Sequence, residues 1–143
     1  NPFHWEREGP LARRHYVDVM SRFPIRMALA AQVTAPSDMS RVRALLMREQ
    51  LLPVACEHGV QELVIESRSA AENNRDTLTV RNWAREHGVR LRHSFGTKAD
   101  PLTWLADGAA GLFSDSLLGR GDGEVGVLTS AHKLVFLRHV VQY

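Results

Sequence analysis

With 143 residues, 44% of them hydrophobic and 24% charged, the chain has the make-up of one globular domain around one core. Its apolar runs are too short for a membrane span or a secretory leader. A net charge of +2 excludes the global cationic field that drives indiscriminate nucleic-acid binding.

The basic side is sixteen arginines against two lysines, Lys98 and Lys133. Arginine suits bidentate phosphate or carboxylate contacts, although the base composition of the gene explains the bias equally well. The single cysteine, Cys56, cannot form an internal disulfide and reads as a small buried hydrophobe. A reducing, cytoplasmic setting is the expectation. The chain starts at Asn1 without an initiator methionine, which suggests a processed or shortened form.

In chain order, Phe3-His4-Trp5 reads as a short strand or its end, and Gly9-Pro10 then breaks the chain. Leu11 to Arg22 is predicted as a helix that Pro24 ends. Ile25 to Val33 is expected to be a strand. Ser37 or Asp38 caps the longest helix, which runs to about His58 with Pro53 kinking it or opening a second segment. His58-Gly59 and His87-Gly88 are matching helix stops. Between them lie a strand at 63–67, a polar loop or helix start at Asn73-Asn74, and an amphipathic helix through Trp83. Val89 to Ser94 alternates and reads as a strand with one wet face. Asp100-Pro101 opens a helix to about Leu118. Gly119 to Gly126 reads as a mobile loop, a helical turn follows near Leu128–Ala131, and Lys133 to Tyr143 closes the chain as a strand. Alternating strands and helices point to a layered α/β fold, read as one domain over residues 1–143.

Two stretches carry the candidate chemistry. Leu63-Val64-Ile65-Glu66-Ser67-Arg68 is an apolar run ending in a carboxylate, as in a buried central strand of a parallel sheet. Ligands of such sheets bind beyond the carboxyl ends of the strands, where Glu66 would lie. Glu66 equally suits a pair with Arg68 or a cap on the next helix. In Asp100 to Gly111, a helix would bury Leu102, Leu105, Ala106, Ala109 and Phe113. Asp107 sits at the edge of that stripe among small residues. Glycine inside a helix costs roughly 1 kcal/mol against alanine, so Gly108 and Gly111 suggest a close approach of backbone to sheet. Glu66 and Asp107 are then a carboxylate pair from distant parts of the chain, as sites for two hard cations require. Asp76 is a candidate third, or a helix-start residue favoured by the dipole. The seven histidines show no zinc-like spacing. His93, near a strand end, is a candidate auxiliary group.

Leu63 to Arg68, then Asn74-Arg75-Asp76, then Asp100 to Gly111, together with Phe3-His4-Trp5 and Phe23-Pro24-Ile25-Arg26, resemble the domain of unknown function 3800 family. The resemblance covers most of the chain in order. It implies a ribonuclease-H-like layered fold, a mixed central sheet flanked by helices, and a metal-dependent nuclease. Mg²⁺ or Mn²⁺ would be held by Glu66, Asp107 and Asp76, and Arg68, Arg75 and Arg92 would contact nucleic-acid phosphates. The family's first strand, with Asp-Glu-Ser and its central aspartate, has no counterpart here. The second expectation is therefore a catalytically incomplete module of the same fold. Such a module would bind nucleic acid, a protein partner or another copy of itself.

Overall fold

The computed structural model describes residues 3–121, 123–131 and 133–140, the last seven of these by backbone alone. The element order is a 3-10 turn Trp5–Arg7, α1 (Pro10–Arg22), β1 (Met27–Gln32), a 3-10 turn Pro36–Asp38, α2 (Met39–Leu46), a π turn Met47–Leu51, α3 (Leu52–Glu57), β2 (Glu62–Glu66), α4 (Ala70–Glu86), β3 (Arg92–Gly96), α5 (Pro101–Leu117), α6 (Glu124–Ser130) and β4 (Leu134–Val140). The fold is mixed α/β. The strands form two two-stranded sheets, β1 with β4 and β2 with β3. The chain divides into two compact units, Asn1–Leu29 with Lys98–Leu137, and Ala30–Thr97 with Arg138–Tyr143. The division passes through β1 and β4.

In the first unit, Pro10 occupies the first turn of α1, where its missing N–H is no loss and its fixed φ suits the helix. Pro24 pushes Phe23 to extended backbone (φ −74°, ψ 150°) and so ends α1. Asp100 caps α5, its side chain accepting the Leu102 N–H at 3.0 Å, with Pro101 beside it. The buried set is Trp5, Tyr16, Val17, Met20, Met27, Leu29, Ala109, Leu112, Phe113 and Leu128.

The buried face of α5 is rotated from the expected one: Thr103, Gly108, Ala109, Leu112 and Phe113 are inside, Leu102 is 56% exposed and Ala106 is exposed. The cause is the two glycines. A Cβ on Gly108 would collide with the Tyr16 ring, and one on Gly111 with the Trp5 side chain. The close approach is thus made to aromatic rings of α1 and the N-terminal turn. That turn replaces the strand expected at Phe3–Trp5, because Trp5 enters this notch and is 1% exposed. The expected loop 119–126 is shorter, since α6 already starts at Glu124.

In the second unit, β2 and β3 pair in parallel, Glu62 opposite Arg92 through Glu66 opposite Gly96. Leu63 and Ile65 pack on a core of Met47, Leu52, Val80 and Trp83, joined by Cys56, Val89 and Leu91. The other face of β2, with Glu62, Val64 (40% exposed) and Glu66, is exposed. The expected buried strand is therefore a half-buried one, with exposed and partly buried residues alternating as a single covered face requires. β3 lies later than expected, because Val89 and Leu91 pack into the core ahead of the strand proper. Asn73 and Asn74 lie inside α4, which starts at Ala70 after Ser69 caps it by accepting the Glu72 N–H.

Pro53 acts as expected. It has no N–H to offer the preceding turn, and the helix widens to a π turn just before it, Leu52 N–H reaching back to the Met47 carbonyl. Gly59 and Gly88 close α3 and α4 with φ of +74° and +63°, a region open to glycine at little cost. Among the described residues, no helix is long and apolar enough to cross a membrane. Residues 141–143 of the expected closing strand, His132 and the side chain of His139 lie outside the described residues.

The notch yields a stability test. Gly111→Leu should overpack the Trp5 contact and cost about 1–3 kcal/mol. On an open helix face the same change would raise stability by several tenths of a kcal/mol or more, since leucine is the better helix former. The sign of the shift in a urea denaturation midpoint decides.

Candidate functional site

Asp76 and Glu66 belong to the second unit, Asp107 to the first. Their surroundings differ in kind. Asp76, on α4, is 3% exposed. Its Oδ1 accepts from Arg43 Nε at 3.0 Å, and its Oδ2 from Arg43 Nη2 at 3.1 Å and Arg68 Nη2 at 3.0 Å. Arg68 also pairs with Glu72 through Nη1, while its Nε is buried without a partner. Burial alone would raise the Asp76 pKa; the hydrogen bonds and charges of Arg43 and Arg68 outweigh it and hold the carboxyl below its ordinary value of 3.8. Asp76 is therefore ionised, with both oxygens engaged by arginine. It ties α2 and the β2–α4 connection to α4.

Glu66 ends β2 with its side chain exposed and without an ion pair among the described residues. Ser67 N–H extends the ladder to the Gly96 carbonyl at 2.9 Å. Of the three arginines expected at phosphates, Arg68 is taken up as described. Arg75 Nη1 donates to Ser40 Oγ at 3.2 Å, and Arg92 reaches only the Glu62 carboxylate at 4.0 Å from an exposed position. His93 lies within β3, its Nε2 3.0 Å from Thr77 Oγ1.

Asp107 lines a cleft of about 280 Å³ in the first unit with His4, Trp5, Glu6, Ala110, Gly111 and Ser114. Its Oδ2 accepts the backbone N–H of Trp5 at 3.1 Å and lies 3.9 Å from His4 Nδ1. No arginine or lysine among the described residues pairs with it. The neighbouring carboxylate is different: Asp115 accepts the Trp5 indole N–H at 2.8 Å and Arg13 at 3.3 Å, and Arg120 stands 3.9 Å away. Asp107 is thus a carboxylate at 29% exposure whose nearest basic group among the described residues is the His4 imidazole, with no guanidinium or ammonium beside it. Burial first, and then the Asp107 charge, push the Tyr16 hydroxyl well above the usual tyrosine range. Tyr16 therefore stays protonated and donates to the Leu105 carbonyl at 2.7 Å.

The sequence reading grouped His4 with the scattered histidines. The signal that would have singled it out is its place between two anchoring aromatics. Phe3 stacks on Tyr16, with centroids 5.3 Å apart, and Trp5 is buried, so the intervening imidazole is held beside α5. Among the described residues, no three His, Cys, Asp or Glu side chains gather closely enough to form a metal-binding group. No protein-family model, curated protein or solved structure matches this chain.

The arginine clamp gives a pH signature. Because the folded pKa of Asp76 is lowered, its contribution to stability is present above the unfolded value near 3.8 and is lost as pH falls below it toward the folded value. Asp76→Asn should cost roughly 2–3 kcal/mol at pH 7, below the 3–5 of a fully buried pair because both arginines reach water. It should also flatten the fall in melting temperature between pH 5 and pH 2. Equal acid sensitivity in the two proteins would place the linkage on other carboxylates.

Proposed function

We propose that this chain is a ribonuclease-H-like nuclease of the domain of unknown function 3800 kind, hydrolysing phosphodiester bonds in nucleic acid with Mg²⁺ or Mn²⁺ in a cytoplasmic setting. The observation that supports it is Asp107, an ionisable oxygen donor in a cleft, with no arginine or lysine partner among the described residues and only the His4 imidazole 3.9 Å away. Buried charges are ordinarily paired or coordinate a metal, and a half-exposed carboxylate in a cleft is open to a cation. Glu66, exposed at a strand end, fits the same role. Asp76 does not fit as a ligand, since Arg43 and Arg68 occupy both its oxygens; in this reading it is a positioning residue that holds the two arginines. A divalent ion held at Asp107 would lower the pKa of bound water and offset charge developing on phosphate. The work of the chain is to present the carboxylates and, through Arg75 and Arg92, to hold the nucleic-acid backbone.

The clamp on Asp76 favours a second reading. With one of three expected ligands engaged elsewhere, the chain is a catalytically incomplete module of that fold that binds nucleic acid or a protein partner.

Cleavage of end-labelled single-stranded and duplex DNA and RNA separates the two. The nuclease reading expects Mn²⁺-dependent cleavage that Asp107→Asn abolishes, and a rise in melting temperature with Mn²⁺ that the same change removes. Salt-sensitive binding without cleavage in any metal supports the incomplete module instead.

A further inference from the structure

We propose that His4 is a nitrogen donor that makes the Asp107 cleft a site for a divalent transition-metal ion in preference to Mg²⁺. The inference rests on the reading above that Asp107 takes a cation, and it names a residue and an ion class which that reading does not. His4 Nδ1 is buried without a hydrogen-bond partner among the described residues. Such an atom forfeits its hydration unless something else occupies it. It stands 3.9 Å from Asp107 Oδ2, and both residues line one cleft.

The pair is built by the fold. Phe3 on Tyr16 and Trp5 in the glycine notch fix the backbone on either side of His4, and the Trp5 N–H holds Asp107 Oδ2. The remaining polar lining is Glu6 and Ser114, with no lysine or arginine, so the cleft suits a cation and not an anion. Imidazole suits transition ions such as Zn²⁺ and Ni²⁺, whereas carboxylate and water suit Mg²⁺ and Mn²⁺. Two protein donors leave the other positions to water, as divalent ions with carboxylate ligands commonly allow.

Ni²⁺ is the probe, titrated into the full chain and followed by isothermal titration calorimetry. The expected result is saturable binding, with paramagnetic Ni²⁺ selectively broadening the His4 imidazole proton resonances. Loss of a merely supporting partner costs about 10–100-fold in metal affinity, so His4→Gln should weaken Ni²⁺ binding at least tenfold while leaving Mg²⁺ affinity unchanged. His4 is part-exposed, and circular dichroism of the metal-free variant checks that it is folded; broadening in the unaltered chain is a readout independent of any variant. Binding that survives His4→Gln but not Asp107→Asn overturns the role of His4 and leaves the carboxylate reading standing. No binding at all overturns both. Binding that needs His4, in a protein that cleaves nothing, upholds this inference and sinks the nuclease.

Discussion

The burial of one ring, Trp5, organises the first unit. Its indole fills the gap left by Gly111, its indole N–H is answered by Asp115, and its backbone N–H by Asp107. Its carbonyl takes two hydrogen bonds from Arg13, whose guanidinium also lies 4.8 Å over the ring. Every polar edge of a large buried side chain is thus satisfied, as burial of tryptophan demands. Truncation of a core tryptophan costs about 3–5 kcal/mol. Here it would also release the hydrogen bond that holds Asp107 and one of the two anchors flanking His4.

The second unit uses charge where the first uses an aromatic. Asp76 is buried at the cost of desolvation, and bidentate Arg43 with Arg68 offsets that cost. The two carboxylates look alike in the sequence, each on a helix near apolar residues. Their partners separate them: one is neutralised by two guanidinium groups, the other is met by a backbone N–H and an imidazole.

Much of the fold was legible because it follows local rules. Pro10, Pro24, Pro53, the Asp100-Pro101 cap and the two His-Gly stops act through backbone sterics and capping, which depend only on neighbours in sequence. The glycines of α5 announced a close contact, yet not its partner, since aromatic rings a hundred residues away are invisible to periodicity. For the same reason the buried stripe of α5 was set a little off: two absent side chains moved the contact face toward Gly108. The apolar run Leu63-Val64-Ile65 suggests a buried central strand, and the exposure of Val64 is invisible to sequence because the residue is as apolar as its neighbours. Beside Asp107, the glycines marked a close contact, and that contact is what brings the Trp5 N–H to its carboxylate. The capture of Asp76 by Arg43 was not legible, because nothing local links position 43 to position 76.

The contacts of Trp5 span the chain: its two carboxylate partners lie 102 and 110 residues further on. The second unit, by contrast, draws almost all of its residues from the continuous stretch 30–97. On a ribosome, where the N-terminal part emerges first, the early residues Phe3, His4 and Trp5 must wait with their rings uncovered until α5 has been made. The intervening stretch can close on its own core in the meantime. The glycine notch therefore sets a timetable as well as a shape: the cleft beside Asp107 cannot exist until α5 has been made and Trp5 has entered it.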